Sequence, residues 1–279
     1  MKIWLIQMEP KLKDKEQNLT KIHSYLDRAV KEKVNLIAFP ELALTGYMCR
    51  KDFFDLAEPI PGPSTKEIVE RAAKENIYVV LGIPELGDGY IYNSAPLFGP
   101  KGLVGVYRKI YLPNHISARG VTYEEQMFFR PGNKLVAFET DFGKIGIEIC
   151  YDIWFPEIAR AYALLGAWFI LNITAAPAGV PELFRLLSRA RAMENVCYFG
   201  LVNQVGRQEN ILFGGGSCVA NYLSEMKAEG SIGDTGKEEV LECQINSEEA
   251  QRHRFYLPVL KNARYDIAEE YLKILKERC

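Results

Sequence analysis

Short apolar, β-branched runs bounded by turn residues recur along the chain. They predict strands near 2–8 (KIWLIQM), 34–39 (VNLIAF), 77–83 (IYVVLGI), 102–110, 144–150, 167–173 (AWFILNI) and 195–203. Between them, apolar residues at helical spacing predict helices over 17–31, 64–75, 156–165 and 181–193. The alternation strand-helix-strand-helix-strand runs once through 2–83 and again through 144–203, which predicts an α/β fold of two similar halves built on parallel crossovers. Residues 84–140, richer in Gly, Pro, Tyr and short strands, predict hairpins and loops of the kind that carry function. After 247 the pattern predicts a helix, a break at Pro258 and a last helix near 266–277, a tail assigned to packing or subunit contacts within one domain spanning 1–279. Residues 161–180 are as apolar as a membrane span, but Gly166, Asn172, Thr174 and Pro177 divide them into a helix end, a turn, a buried strand and a loop.

Composition narrows the partners. The chain has 279 residues, 48% of them apolar, enough for a large core. Its 34 basic and 36 acidic residues are interspersed for a net charge of −2, so neither nucleic acid nor a membrane is expected as partner, and a small, weakly charged ligand is. The opening MKIWLIQMEP lacks the features of a signal peptide, and a cytoplasmic location is expected. Six scattered cysteines without a C-x-x-C pair, and three histidines outside metal-binding spacings, predict neither disulfides nor a metal, and no cofactor motif is present. GGGSC at 214–218 lacks the context of a phosphate cradle and predicts a tight turn into a strand.

Candidate chemistry gathers at strand ends. In GIEICYDIWFPEIAR (146–160) Cys150 stands where an apolar strand tips into a helix. A cysteine there is by itself an ordinary small core residue. The same corner is where an α/β sheet presents a nucleophile, with turn and helix N–H groups to favour developing negative charge. With no histidine well placed, a base for the thiol would have to be a carboxylate. Glu41 in FPELALTGY follows the strand 34–39, the same topological place that Cys150 takes in the second half, although a solvated helix-start carboxylate would look alike. Glu124 and Glu125 precede FFRPG and, taken by themselves, read as a charged loop. In YRKIYLP, Arg108 and Lys109 alternate faces; an inward lysine needs carboxylate partners, whereas a snorkelling one does not.

Together these segments resemble the nitrilase superfamily, the carbon-nitrogen hydrolases: Glu41 in FPELALTGY, Lys109 in YRKIYLP, Cys150 in GIEICYDIWFPEIAR, and Glu125 ahead of FFRPG. SRARAMENVCYFGLVNQVG (188–206) and FGGGSCVANYLSEMKAEGS (213–231) are similar to later family blocks, so the resemblance spans 2 to about 245. It implies a four-layer α-β-β-α sandwich of the nitrilase type and a homodimer or larger homo-oligomer. It also implies a Glu-Lys-Cys triad: Cys150 as nucleophile, Glu41 as general base, Lys109 and the N–H of Tyr151 around the oxyanion, and Glu125 orienting Lys109 or the substrate nitrogen. Substrate contacts are expected from Tyr47, Tyr151, Trp154, Ala175 and Ala176.

Cys150-Tyr151-Asp152 is similar to the amidase branches, where nitrilases proper tend to carry Cys-Trp-Glu. The expected substrate is therefore a small linear amide or carbamoyl compound; a nitrile is the alternative, and a catalytically silent binding protein of the same fold a third. Relatives that hold a substrate carboxylate use arginines three and four places after the cysteine. Here those are Ile153 and Trp154, so an acidic substrate would need another arginine such as Arg119. The small Ala175 and Ala176 in NITAAPAG imply a roomy or apolar site, and the missing Pro-x-Gly turn in 214–231 puts a local hairpin in question.

Overall fold

A computed structural model describes residues 1–117, 120–233 and 236–278, so Arg119 lies outside the described residues. The first half runs β1 (Lys2–Gln7), α1 (Lys15–Lys31), β2 (Leu36–Ala38), a one-turn α2 (Phe53–Leu56), α3 (Lys66–Glu75) and β3 (Tyr78–Val80), with β1, β2 and β3 parallel. β4 (Ile83–Gly87), β5 (Tyr90–Gly99) and β6 (Gly102–Arg108) then meander antiparallel; one edge of β5 takes β3 and β4, the other takes β6. The hairpin β7 (Asn114–Ile116) and β8 (Thr122–Glu124) stands apart from both main sheets.

The second half repeats the crossovers with β9 (Phe138–Thr140), β10 (Gly143–Ile149), α4 (Pro156–Leu164), β11 (Phe169–Thr174), α5 (Pro181–Glu194) and β12 (Tyr198–Asn203). A small hairpin, β13 (Val205–Gln208) and β14 (Ile211–Gly214), precedes β15 (Cys218–Ala220) and β16 (Met226–Glu229). The chain returns to the first sheet as β17 (Glu239–Gln244), antiparallel to β1, and ends in α6 (Ser247–Tyr256) and α7 (Tyr265–Arg278). Strand orders are β17-β1-β2-β3-β5-β4, with β6 also on β5, and β16-β15-β12-β11-β10-β9.

Period-two alternation decides the layers. On β1, Ile3 and Leu5 join Leu36, Val80 and the β10 residues Ile145, Ile147 and Ile149 in the core between the sheets. Trp4 and Ile6 face the other way, onto Ile22 and Leu26 of α1 and into the same cluster as Ile68 and Ala72 of α3. Each fully buried Ile or Leu contributes about 1.5–3 kcal/mol, which is why near-continuous apolar runs are stable only with cover on both faces. Helices, two stacked sheets and helices again make the α-β-β-α sandwich.

Three expectations change. The segment 84–140 contributes β5, a ten-residue strand inside the first sheet, and not only hairpins and loops. Glu41 and Cys150 do not occupy equivalent places, since Glu41 follows the second of three parallel strands and Cys150 the first. The β15–β16 hairpin forms without Pro-x-Gly: Asn221 Oδ1 accepts from Leu223 N at 3.0 Å and from Glu225 N at 2.9 Å, closing the turn with its own side chain. The apolar stretch 161–180 divides as expected into the end of α4, β11 and a loop, and among the described residues no helix is long and apolar enough to cross a membrane.

Candidate active site

β10 ends extended at Ile149, and Cys150 then adopts φ +48°, a left-handed conformation that costs a residue with a side chain about 1 kcal/mol. The chain folds over into a 3-10 turn, Cys150–Trp154, before Pro156 opens α4. Five hydrogen bonds hold this corner. Asp152 Oδ2 accepts from Ile149 N (3.1 Å) and Tyr107 OH (2.8 Å), and Oδ1 accepts from Tyr111 N (2.9 Å). Arg191 of α5 donates to Ile153 O at 3.0 Å, and Asn172 of β11 donates to Cys150 O at 3.3 Å. Burial raises Asp152 to about 6, against the pull of these hydrogen bonds.

β2 delivers Glu41 from the other sheet. Phe39 N continues the pairing to Val80 O at 2.9 Å, and Leu42 turns the chain with φ +49°. The turn passes so close to Gly82 that a Cβ there would lie 2.3 Å from Pro40 O and 2.7 Å from Glu41 Cα, room that only glycine leaves. Asn93, in the middle of β5, positions two groups at once: its side chain donates to Glu41 Oε1 at 2.7 Å, and its carbonyl accepts from Lys109 N at 2.9 Å.

Arg108 and Lys109 separate as the strand period requires. Arg108 turns outward to Glu85 (2.6 Å), Asp88 (3.1 Å) and the face of Tyr92. Lys109 is completely buried, with Nζ 2.7 Å from Glu41 Oε1 and 2.6 Å from Glu125 Oε1. Burial alone would push its ammonium down, but Glu125 and Glu41 more than offset this and hold it well above its usual range. Of the two candidate glutamates, Glu125 is the one that faces inward. It opens the 3-10 turn Glu125–Met127 and also accepts from Tyr47 OH at 2.7 Å. Burial, opposed by Lys109 and reinforced by Glu41, raises Glu125 to about 7.

Cys150 is 7% exposed, and its thiol lies in the field of Glu41, Lys109 and Glu125. Burial first, then repulsion by Glu41, pushes the thiol far up, with Lys109 opposing. A resting thiolate would add negative charge where two carboxylates already share one ammonium, so the sulfur keeps its proton until something removes it. Lys109 and Asn93 both occupy Glu41 Oε1, and Oε2 of this buried carboxylate has no hydrogen-bond partner. Such an atom is suited to accept a proton.

Beside Glu125 lies a cavity of about 180 Å³ walled by Tyr47, Met48, Phe53 and Phe128, with Arg50 and Glu124 at its polar side. Arg50 is paired with Glu209 at 3.0 Å. Phe129 separates this cavity from a second depression lined by Tyr151, Tyr111 and His115. The expected contacts Tyr47 and Tyr151 therefore line the two hollows. Ala175 is buried in the same apolar cluster as Tyr47 and Phe129, whereas Ala176 lies in the main core with its N–H held by Asn203 at 2.8 Å. Trp154 points elsewhere: it is 44% exposed, stands edge-on to Phe184 and lines neither hollow, because the 3-10 turn rotates it toward α5.

The sequence reading missed several neighbours. Asn93, beside Ser94 in YIYNSAPLFG, reads as a turn residue in the sequence and not as part of a strand. Tyr123, whose ionisation is pushed up chiefly by burial, and Gln204, which donates to Glu41 O at 3.3 Å, carry no local signal.

Comparison with known proteins identifies the family. The Carbon-nitrogen hydrolase family profile matches residues 2–255. A nitrilase of Pyrococcus abyssi is 34% identical over 232 residues, covering 81% of this chain and 83% of that protein. The omega-amidase NIT2 of Mus musculus is 31% identical over 262 residues, 91% of each chain. The crystal structure of a carbon-nitrogen hydrolase from Helicobacter pylori superposes with a TM-score of 0.85 at 26% identity, over 98% of both chains. The strand-end carboxylate, the buried ammonium and the corner thiol thus sit in a chain that belongs to the carbon-nitrogen hydrolase family, a family of enzymes built on this sandwich.

Proposed function

We propose that the protein hydrolyses a small linear amide or carbamoyl compound through a cysteine thioester, with Cys150, Glu41, Lys109 and Glu125 as its catalytic residues. Glu41 Oε2 takes the thiol proton as Sγ attacks the carbonyl carbon. The electron pair of the C=O bond moves onto oxygen, and the resulting oxyanion is met by Lys109 Nζ and the N–H of Tyr151. Collapse breaks the carbon-nitrogen bond while protonated Glu41 returns its proton to the departing nitrogen, which leaves as ammonia or an amine. Glu41 then deprotonates a water that cleaves the thioester, giving the acid and restoring the thiol. Glu125 fixes Lys109 from the far side.

The observation that carries this reading is the fully buried Lys109 shared by two carboxylates, with Glu41 Oε2 left unpartnered. Aromatic and apolar walls, with Arg50 already neutralised by Glu209, favour an uncharged acyl group. That similar proteins include both an omega-amidase and a nitrilase makes the choice of substrate an assay question. Ammonia release from matched amides, ureas and nitriles is expected to be greatest for an amide, with a thioester mass on Cys150 and none in Cys150→Ala, which folds but does not turn over. Equal turnover by Cys150→Ala would remove the nucleophile from the scheme, and faster nitrile than amide hydrolysis would reverse the substrate choice.

The tail has a separate role in this reading. α7 buries none of its residues, while Ile267, Tyr271, Ile274 and Leu275 recur along one stripe, which supports its use in subunit contacts in a cytoplasmic homodimer or larger assembly. Light scattering should show an oligomer that dissociates when the chain is cut after Tyr256; a full-length monomer would contradict it.

A further inference from the structure

Two buried polar side chains behind the corner take no part in the steps above. Glu148 of β10 and Asn172 of β11 are direct partners in the parallel register and are both completely buried. Asn172 Nδ2 spends one hydrogen on Glu148 Oε1 at 3.0 Å and the other on the carbonyl of Cys150 at 3.3 Å. Neither Asn172 Oδ1 nor Glu148 Oε2 has a partner, so the pair costs stability that an apolar pair would not. Both residues could be apolar for all that the sheet requires of them.

Their use lies in the peptide they hold. A trans peptide points its C=O and the following N–H in opposite directions. An amide that grips the Cys150 carbonyl from within the second sheet therefore turns the N–H of Tyr151 away from that buried face. This N–H lies in the first turn of a 3-10 helix, where no intrahelical acceptor exists for it. We propose that Asn172, oriented by Glu148, is a positioning residue that locks the Cys150–Tyr151 peptide so that the Tyr151 N–H meets the oxyanion. This rests on the thioester reading above.

The test separates oxyanion support from support of the sulfur. Asn172→Leu removes both donors at similar volume. It is expected to lower kcat for the amide at least tenfold, with KM changed less than about threefold. Alkylation of Cys150 by iodoacetamide forms a sulfur-carbon bond at a saturated carbon and expels iodide, with no oxyanion, so its rate should stay within about twofold of wild type. Asn172→Ser repeats the comparison if the leucine variant does not fold. Glu148→Leu leaves Asn172 in place but removes the acceptor that orients it, and should lower kcat in the same selective way, and Glu148→Gln, which keeps the acceptor, should recover most of it. Unchanged turnover in the Asn172 variants, or turnover and alkylation falling by the same factor, would overturn the proposal. Turnover by Cys150→Ala would instead overturn the thioester reading itself.

Discussion

Glu148→Gln should make the protein progressively more stable than wild type as the medium becomes alkaline. The carboxyl is completely buried, receives a single hydrogen bond from Asn172, and feels Asp152 pushing its ionisation up and Arg191 pulling it down. Burial dominates and carries it from 4.5 up to about 8. Between those two values the folded chain keeps a proton that the unfolded chain has released, so stability falls as pH rises through that window. A rise of roughly 3.5 in pKa corresponds to about 5 kcal/mol, of which about 4 kcal/mol is lost between about pH 5 and pH 9. Glutamine has the shape and the acceptor but no proton to lose. The raised acids Asp152 and Glu125 titrate in both proteins and largely cancel from the difference. Urea unfolding at about pH 5, 7 and 9 should show the variant's advantage growing by several kcal/mol across the series. Parallel stability curves for the two proteins would refute the argument, since they would mean that Glu148 is ionised in the fold.

Two further outcomes concern the reaction. Glu41→Gln keeps the shape of the carboxylate and should bind substrate while losing at least about a hundredfold in acylation, read as the burst of ammonia in stopped-flow; a wild-type burst would exclude Glu41 as the base. Tyr47→Phe removes a hydrogen bond that lowers the pKa of Glu125, so the limb of the kcat/KM profile near pH 7 should move to higher pH; a limb that stays in place would detach Glu125 from it.

Much of the fold was legible because alternation and helical spacing are local. The run 144–150 became Gly143–Ile149, and the helix expected from 17 starts at Lys15 because Asp14 accepts from Gln17 N. β5 was not legible: nine of its ten residues are buried on both faces, so no alternation marks YIYNSAPLFG, and Asn93 and Ser94 read as turn residues. Glu41, Lys109, Glu125 and Cys150 stood out through their motifs. Their supports did not, because the contacts are long in sequence: Asn93 reaches Glu41 across 52 positions, Gln204 reaches it across 163, and Asn172 reaches Cys150 across 22. Burial, which no single sequence displays, is what shows that Glu125 and not Glu124 faces inward.

Glu41 and Lys109 hang from one sheet and Cys150 from the other, so the proposed triad is drawn from both sides of a seam. Neither half of the polypeptide, however well formed, owns a working centre. In a refolding sample, the first ammonia released would therefore date the meeting of the two halves, later than any far-ultraviolet signal of their helices and strands.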